Sequence, residues 1–354
     1  GRRGGPNSPQ FKLRTRTQSM LDAEHRSSTA SGRNWGAKFY QRRLTVFPQV
    51  SDEQWNDWRW QMQNSIRDAG ALSTKLALSD DEQRGIGSTQ GRFRLGISPY
   101  YLSLIDPDVA SCPIRMQAIP RAAEAMIRPG ELSDPLGEDH NRPVSSVVHK
   151  YPDRALLLVT DSCSMYCRHC TRRRITKGGE ADLGKTELRR GLEYIGAHPE
   201  IRDVIVSGGD PFLLSDERLE EILAGLRAHA HIEIIRIGTR VPVTLPMRVT
   251  SKLACVLRRF APVFVVTHFN HPKEVTREAM NACGTLVDHG VPVENQTVLM
   301  RQVNSTARII RELNHACLMM RVRPYYLHQM DVAEGCEHLR TPLAVGMEII
   351  GQLR

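Results

Sequence analysis

At 354 residues, with 25% charged and 40% hydrophobic residues, the chain is long enough to bury a core the size of one α/β barrel and carry an appended region besides. No uninterrupted apolar run approaches the ~20 residues of a membrane span, and the Arg-, Gly- and Ser-rich opening lacks the apolar centre of a secretory signal. The formal charge of +9 is spread rather than gathered in one stripe, which disfavours a nucleic-acid partner and suits a protein that handles anionic groups.

Residues 1 to 35 hold almost no large apolar side chains and cannot offset the entropy of ordering, so a mobile segment without assigned function is expected there. From 36 to 145 the pattern is helical and reads as an accessory region. Ser51 with Gln54, and Ser79 with Glu82, fit capping boxes, and Trp55, Trp58, Met62 and Ile66 recur on one helical face as core. The run from Ser98 to Asp106 continues this layer, and the Pro- and acid-rich stretch between Pro129 and Pro143 reads as a linker.

From 146 to 354, short β-rich runs alternate with amphipathic helices. Strands are predicted at 155–160, 203–207, 232–237, 263–267, 293–299 and 319–324. Helices are predicted to begin near Thr186, Ser215, Thr250, Glu274 and Ser305 and after Thr341, with Gly290 closing the fourth. Such alternation means parallel strands with right-handed crossovers, and six units make an α/β partial (β/α)6 barrel whose site lies at the strands' C-terminal ends.

Three cysteines, Cys163, Cys167 and Cys170, follow the first of these strands on one loop. Three thiolates suit an iron-sulfur cube with one iron left free, whereas a closed structural zinc site wants four ligands. A zinc knuckle completed by His169 or a remote cysteine, or thiols buried in a core, are the other readings of this spacing. Free cysteines in a metal-type spacing point to a reducing cytoplasm. Ser207-Gly208-Gly209-Asp210 follows the second strand, where two glycines let the backbone come close to a ligand and offer it amide and carbonyl groups, although a lone Gly-Gly is usually just a turn. Lys150, Tyr151 and Arg154 precede the first strand and taken alone form a solvated charge run.

The stretch from Cys163 to Arg174, Cys-Ser-Met-Tyr-Cys-Arg-His-Cys-Thr-Arg-Arg-Arg, resembles the cluster motif of the radical S-adenosylmethionine (SAM) enzymes. In its intervening residues it resembles that of the lysine 2,3-aminomutase family. The resemblance implies that Cys163, Cys167 and Cys170 hold a [4Fe-4S] cluster whose open iron takes SAM. Ser207, Gly208, Gly209 and Asp210 would then lie at the SAM amino group, Gln296 at its ribose and His169 beside its adenosine part. Lys150, Tyr151 and Arg154 match the residues that hold the phosphate of pyridoxal 5′-phosphate (PLP), and Arg172 matches the arginine on the substrate α-carboxylate. Asp331, in Pro324-Tyr-Tyr-Leu-His-Gln-Met-Asp331, matches the aspartate that pairs with the distal ammonium in lysine-acting members; glutamate-acting relatives carry a cation there.

Several positions depart from the family pattern. Lys150 stands where the family often has Arg, His328 stands in place of a tyrosine, and Thr306 replaces a cysteine of an intersubunit zinc site. No lysine follows Lys273, and the lysine that the family links to PLP comes from a downstream segment. With a start at Gly1 and a stop at Arg354 within a helical pattern, a fragment is expected. The expected activity is a radical SAM, PLP-dependent 2,3-aminomutase interconverting L-lysine and L-β-lysine. An electron donor such as flavodoxin or ferredoxin and a homo-oligomer are the expected partners. The alternatives are an aminomutase for another basic amino acid or for lysine used in elongation-factor modification, and a metal- or nucleic-acid-binding protein without catalysis.

Overall fold

The computed structural model describes residues 35–177 and 182–354. The expectation for residues 1 to 34 lies outside them. Seven strands form one sheet in chain order: β1 (Val147–Tyr151), β2 (Arg154–Thr160), β3 (Asp203–Gly208), β4 (Ile234–Gly238), β5 (Val263–Thr267), β6 (Val293–Leu299) and β7 (Arg323–Gln329). All neighbours from β2 to β7 run parallel, and β1 folds back antiparallel on β2 as a hairpin. The sheet has two edges, β1 and β7. Lys150 on β1 and Asp331 just past β7 feel one another's charge, so the edges curl toward each other across an open barrel.

Two strand expectations shift. β1 was not foreseen, because a five-residue half-exposed strand closed by a Pro152-Asp153 turn carries no continuous apolar run. The last strand starts at Arg323 rather than Met319. The apolar residues before it end the helix Ala307–Met319 and plug the core through Val322, which is fully buried. Pro324 is tolerated because β7 is an edge strand.

The helix Lys185–Gly196 starts at Gly184 without a side-chain cap, whereas the four crossover helices after it start where a cap residue directs. The side chains of Ser215, Thr250, Thr276 and Thr306 accept the amides of Arg218, Leu253, Ala279 and Ile309. Thr306 thus has a local capping task. Gly290, at φ +80°, ends the helix Arg277–Asp288 in the left-handed conformation that glycine favours. Alternate strand residues, among them Val204, Val206, Ile235, Ile237, Val263 and Val265, pack against these helices, so the residues between them face the barrel interior.

Short helices between residues 35 and 118 build a layer over the strand ends, and both expected capping boxes are formed. The stretch read as a linker is packed onto the barrel instead. Leu132 pairs with Ala333 beyond β7, and the Glu131 carboxylate accepts the amides of Gly335 and Glu337 at 3.1 and 2.9 Å.

The Gly208-Gly209 corner is where this packing is tightest. Gly208 has φ +130°, and a Cβ on Gly208 or Gly209 would stand 2.2 Å from the carbonyl oxygen of Thr160 or Ser162 respectively. Neither oxygen can yield without moving the loop that carries the cysteines. Gly209→Ala is expected to lose about 1–3 kcal/mol of stability, read as a lower urea midpoint, and to weaken iron retention; an unchanged midpoint would show that the loop adapts freely.

Candidate functional site

The cysteine loop is fastened on two sides. Toward the sheet, Gly209 N donates to Thr160 O at 2.6 Å and Asp210 N to Ser162 O at 2.7 Å. Toward the helical layer, Ser98 N donates to Ser164 O, Tyr166 N to Gly96 O and Arg168 N to Gln117 O, at 3.0 to 3.1 Å. Ser164 and Thr244 share a hydroxyl contact of 2.7 Å, and the buried Arg168 guanidinium grips Glu124 at 2.5 Å. A loop held this way presents its side chains with little freedom to rearrange.

Cys163, Cys167 and Cys170 are free and partly exposed, and their thiols lie within electrostatic reach of one another. Burial, with Asp210 and the two other thiols, pushes the Cys163 thiol well up, and burial with Cys167 pushes up Cys170. Clustered, partly enclosed thiols call for a cationic centre to stabilise them as thiolates. Among the described residues, no three or more His, Cys, Asp or Glu are arranged to hold a single metal ion. Three thiols on one loop fall one ligand short of a closed zinc site. In an iron-sulfur cube each thiolate binds its own iron, so the three need not converge on one point, and this donor set fits a cluster.

The same loop sets His169, which is buried with its Nδ1 lacking any partner. Burial, then the charges of Arg240, His268, Arg173 and Arg168, pushes its pKa well down and keeps the ring neutral. An uncharged imidazole with an orphaned nitrogen fits a ligand that brings its own hydrogen-bonding groups. Ser207, on β3, is buried and receives Arg172 Nη1 at 3.4 Å. Gln296 faces the interior between Asn295 and Thr297, which are buried on the other side; its carbonyl contacts His268 at 3.1 Å.

Asp210 is committed to the protein. Its carboxylate accepts Thr239 Oγ1 at 2.5 Å, Arg240 N at 2.7 Å and Phe212 N at 3.1 Å. Burial nevertheless raises its pKa. Its place in the site is therefore to pin the end of β4. The residue so pinned is Arg240, which the sequence reading passed over. Arg240 Nη1 donates to Cys167 Sγ at 2.8 Å, and Nη2 donates to Gln117 Oε1 at 2.6 Å and Glu274 Oε1 at 2.9 Å. Its signal was available, since it ends the Gly238-Thr239-Arg240 turn at a strand's C-terminal end.

Arg172 is oriented by a second residue that the sequence did not reveal. Its Nε and Nη2 reach Glu138 Oε1 at 2.8 and 2.7 Å, and Glu138 is buried. The remaining Nη1 edge points to Ser207. Glu138 sits in the stretch read as a linker, where nothing in the local pattern marks it.

The hairpin residues lie apart from the cysteines in chain direction, at the N-terminal end of β2. Lys150 Nζ donates to Leu136 O at 2.7 Å, and the Arg154 guanidinium carbon lies 5.6 Å from the centre of the Tyr151 ring. All three side chains are exposed, and two cations beside a phenol fit a phosphate. Asp331 is also exposed rather than enclosed, because the mouth between β1 and β7 is open. Partial burial raises its pKa, opposed by His328 and Lys150, so these three side chains form one group at the mouth.

A model of the radical SAM superfamily matches residues 157–309. The L-lysine 2,3-aminomutase of Fusobacterium nucleatum subsp. nucleatum is 49% identical over 312 residues, 88% of this chain and 73% of that protein. That of Clostridium subterminale is 48% identical over 313 residues, 88% and 75% of the two chains. The chain belongs to the lysine 2,3-aminomutase family. The glutamate 2,3-aminomutase of Clostridioides difficile is 40% identical over 304 residues, 86% of this chain and 72% of that protein. Membership in the aminomutase family brings a [4Fe-4S] cluster, SAM and PLP as cofactors and isomerisation as the reaction class.

For this aminomutase, anaerobic reconstitution is expected to load about four irons per chain. Replacing Cys163, Cys167 or Cys170 by Ala should abolish loading, while Cys112, Cys255, Cys283, Cys317 and Cys336 should each be dispensable. Stoichiometric zinc without iron would contradict the assignment.

Proposed function

We propose that this aminomutase interconverts L-lysine and L-β-lysine, exchanging the α-amino group with a hydrogen on the β carbon. The observation that carries the choice of substrate is the pairing of opposite charges available to an amino acid: the open Nη1 edge of Arg172 for the α-carboxylate and Asp331 for a distal ammonium. Glutamate would face Asp331 with a second carboxylate, and like charges at that distance repel. The names of the lysine-acting relatives support the same choice.

Cys163, Cys167 and Cys170 would hold the cluster, Ser207, Gly208, Gly209, His169 and Gln296 the SAM side with Asp210 pinning the strand end behind them, and Lys150, Tyr151 and Arg154 the PLP phosphate. When bound, these groups supply a carbon radical that removes the β hydrogen and a conjugated ring that lowers the barrel-enclosed barrier to nitrogen migration. The chain's own residues provide position. Glu138 fixes the plane of the Arg172 guanidinium, so a bound carboxylate meets a fixed fork rather than a swinging one. Neutral His169 adds no cation next to the site where SAM, itself a sulfonium, would lie. Asp331 anchors the far end of the substrate and fixes the direction in which its β carbon points.

No helix among the described residues is long and apolar enough to cross a membrane. A reducing cytoplasm, an electron carrier of the flavodoxin or ferredoxin kind and self-association complete the reading.

Asp331→Lys tests the substrate. Because Asp331 is exposed before substrate arrives, the expected loss in kcat/KM for lysine is at least about tenfold, or ~1.4 kcal/mol, with iron loading unchanged. Lysine binding by equilibrium dialysis should fall in parallel. Unchanged lysine binding and turnover would show that Asp331 does not read the substrate.

A further inference from the structure

On β4, Ile235 and Ile237 are fully buried against the helices, so Arg236 between them points into the barrel. Its Nη2 donates to Asp203 Oδ2 at 2.5 Å, and this is its one hydrogen bond among the described residues. Asp203 is almost fully buried at the start of β3, in register with Arg154 at the start of β2. Three neighbouring strands therefore set Arg154, Asp203 and Arg236 side by side on the inner wall. The opposite edge brings Tyr326, whose phenol feels the charges of both Arg154 and Arg236.

A guanidinium clamped at one end by a buried carboxylate, with Nε and Nη1 unengaged among the described residues and the side chain 24% exposed, is a preorganised anion fork. The third nearby arginine, Arg202, is not available in the same way, since Glu233 holds it at 2.9 Å and Asp153 at 3.6 Å. Among the described residues, Arg154 has only the half-buried Asp153 as a salt-bridge partner. Lys150 is a single point charge, so the planar, bidentate contact that a phosphate accepts must come from a guanidinium.

We infer that Arg236 is a further phosphate-binding residue of the PLP site, delivered from β4 to complete the cradle of Lys150, Tyr151 and Arg154. The inference rests on the reading of that hairpin as the phosphate cradle. Asp203 is then a positioning residue that holds the fork in place without touching the ligand.

The test compares the affinities of PLP and of phosphate-free pyridoxal by equilibrium dialysis of the purified protein. Arg236→Gln should weaken PLP by about tenfold or more and leave pyridoxal unchanged, with Arg236→Lys in between. Equal loss for both ligands, or no loss for either, would overturn the inference. Asp203→Asn separates recognition from folding, because the Asn oxygen can still accept the Arg236 hydrogen bond and position the fork while the charge is removed. A purely structural ion pair predicts that it matches Arg236→Gln, whereas phosphate recognition by a positioned fork predicts PLP affinity retained or tightened, because a negative charge near the phosphate is gone. Lys150→Gln and Arg154→Gln test the cradle itself. If they weaken PLP and Arg236→Gln does not, only the role of Arg236 fails; if none of them matters, or the parent protein binds no PLP, the cradle reading fails with it.

Discussion

The closest backbone approach around the site is between the end of β3 and the first residues of the cysteine loop, and the rest of the site depends on it. Gly208 and Gly209 let two carbonyl oxygens come within a distance that any Cβ would forbid. The two amides that follow use those oxygens as acceptors. Because Asp210 then spends its carboxylate on Thr239 and Arg240, the same corner fixes the end of β4. A single turn thereby ties three consecutive strand ends together, and Arg240 carries the connection back to Cys167.

The helical layer matters for a related reason. Gln117, Glu274 and the Tyr101 hydroxyl converge on Arg240, and Tyr101 donates to Glu274 at 2.7 Å. Glu124 faces the buried Arg168 and Arg173 on the other flank of the loop. Buried charges of this kind contribute little net stability, but removing one partner costs ~3–5 kcal/mol because the other is left uncompensated. Their effect is to make one arrangement of the loop far better than its neighbours. The accessory residues therefore belong to the cofactor site as much as the barrel does.

Much of this was legible in the chain. Short apolar runs marked β2, β3 and β5, because strands covered by helices on one face and largely enclosed on the other carry few polar residues at their centres. Caps at Ser51, Ser79, Ser215 and Thr250 marked helix starts, since the capping interaction is local in sequence. The cysteine spacing pointed to cluster chemistry for the same reason: its geometry is set within eight residues. What could not be read depends on partners far apart in the chain. Glu138 meets Arg172 across 34 residues, Arg240 meets Cys167 across 73, and Asp203 meets Arg236 across 33. The glycines at 208 and 209 were read as room for a ligand, and the structure accounts for them by the approach of Thr160 and Ser162. β7 was misplaced because Met320 and Val322 are apolar for the sake of the core at the end of the preceding helix, whereas the strand itself is a half-exposed edge.

The central claim is that the fastened loop presents three thiolates to a four-iron cluster and leaves one iron for SAM. Electron paramagnetic resonance of the anaerobically reconstituted, dithionite-reduced protein, recorded before and after adding SAM, tests this most directly. The account predicts a reduced [4Fe-4S] signal whose g values shift when SAM binds the open iron. A four-iron signal that SAM leaves unchanged would contradict it.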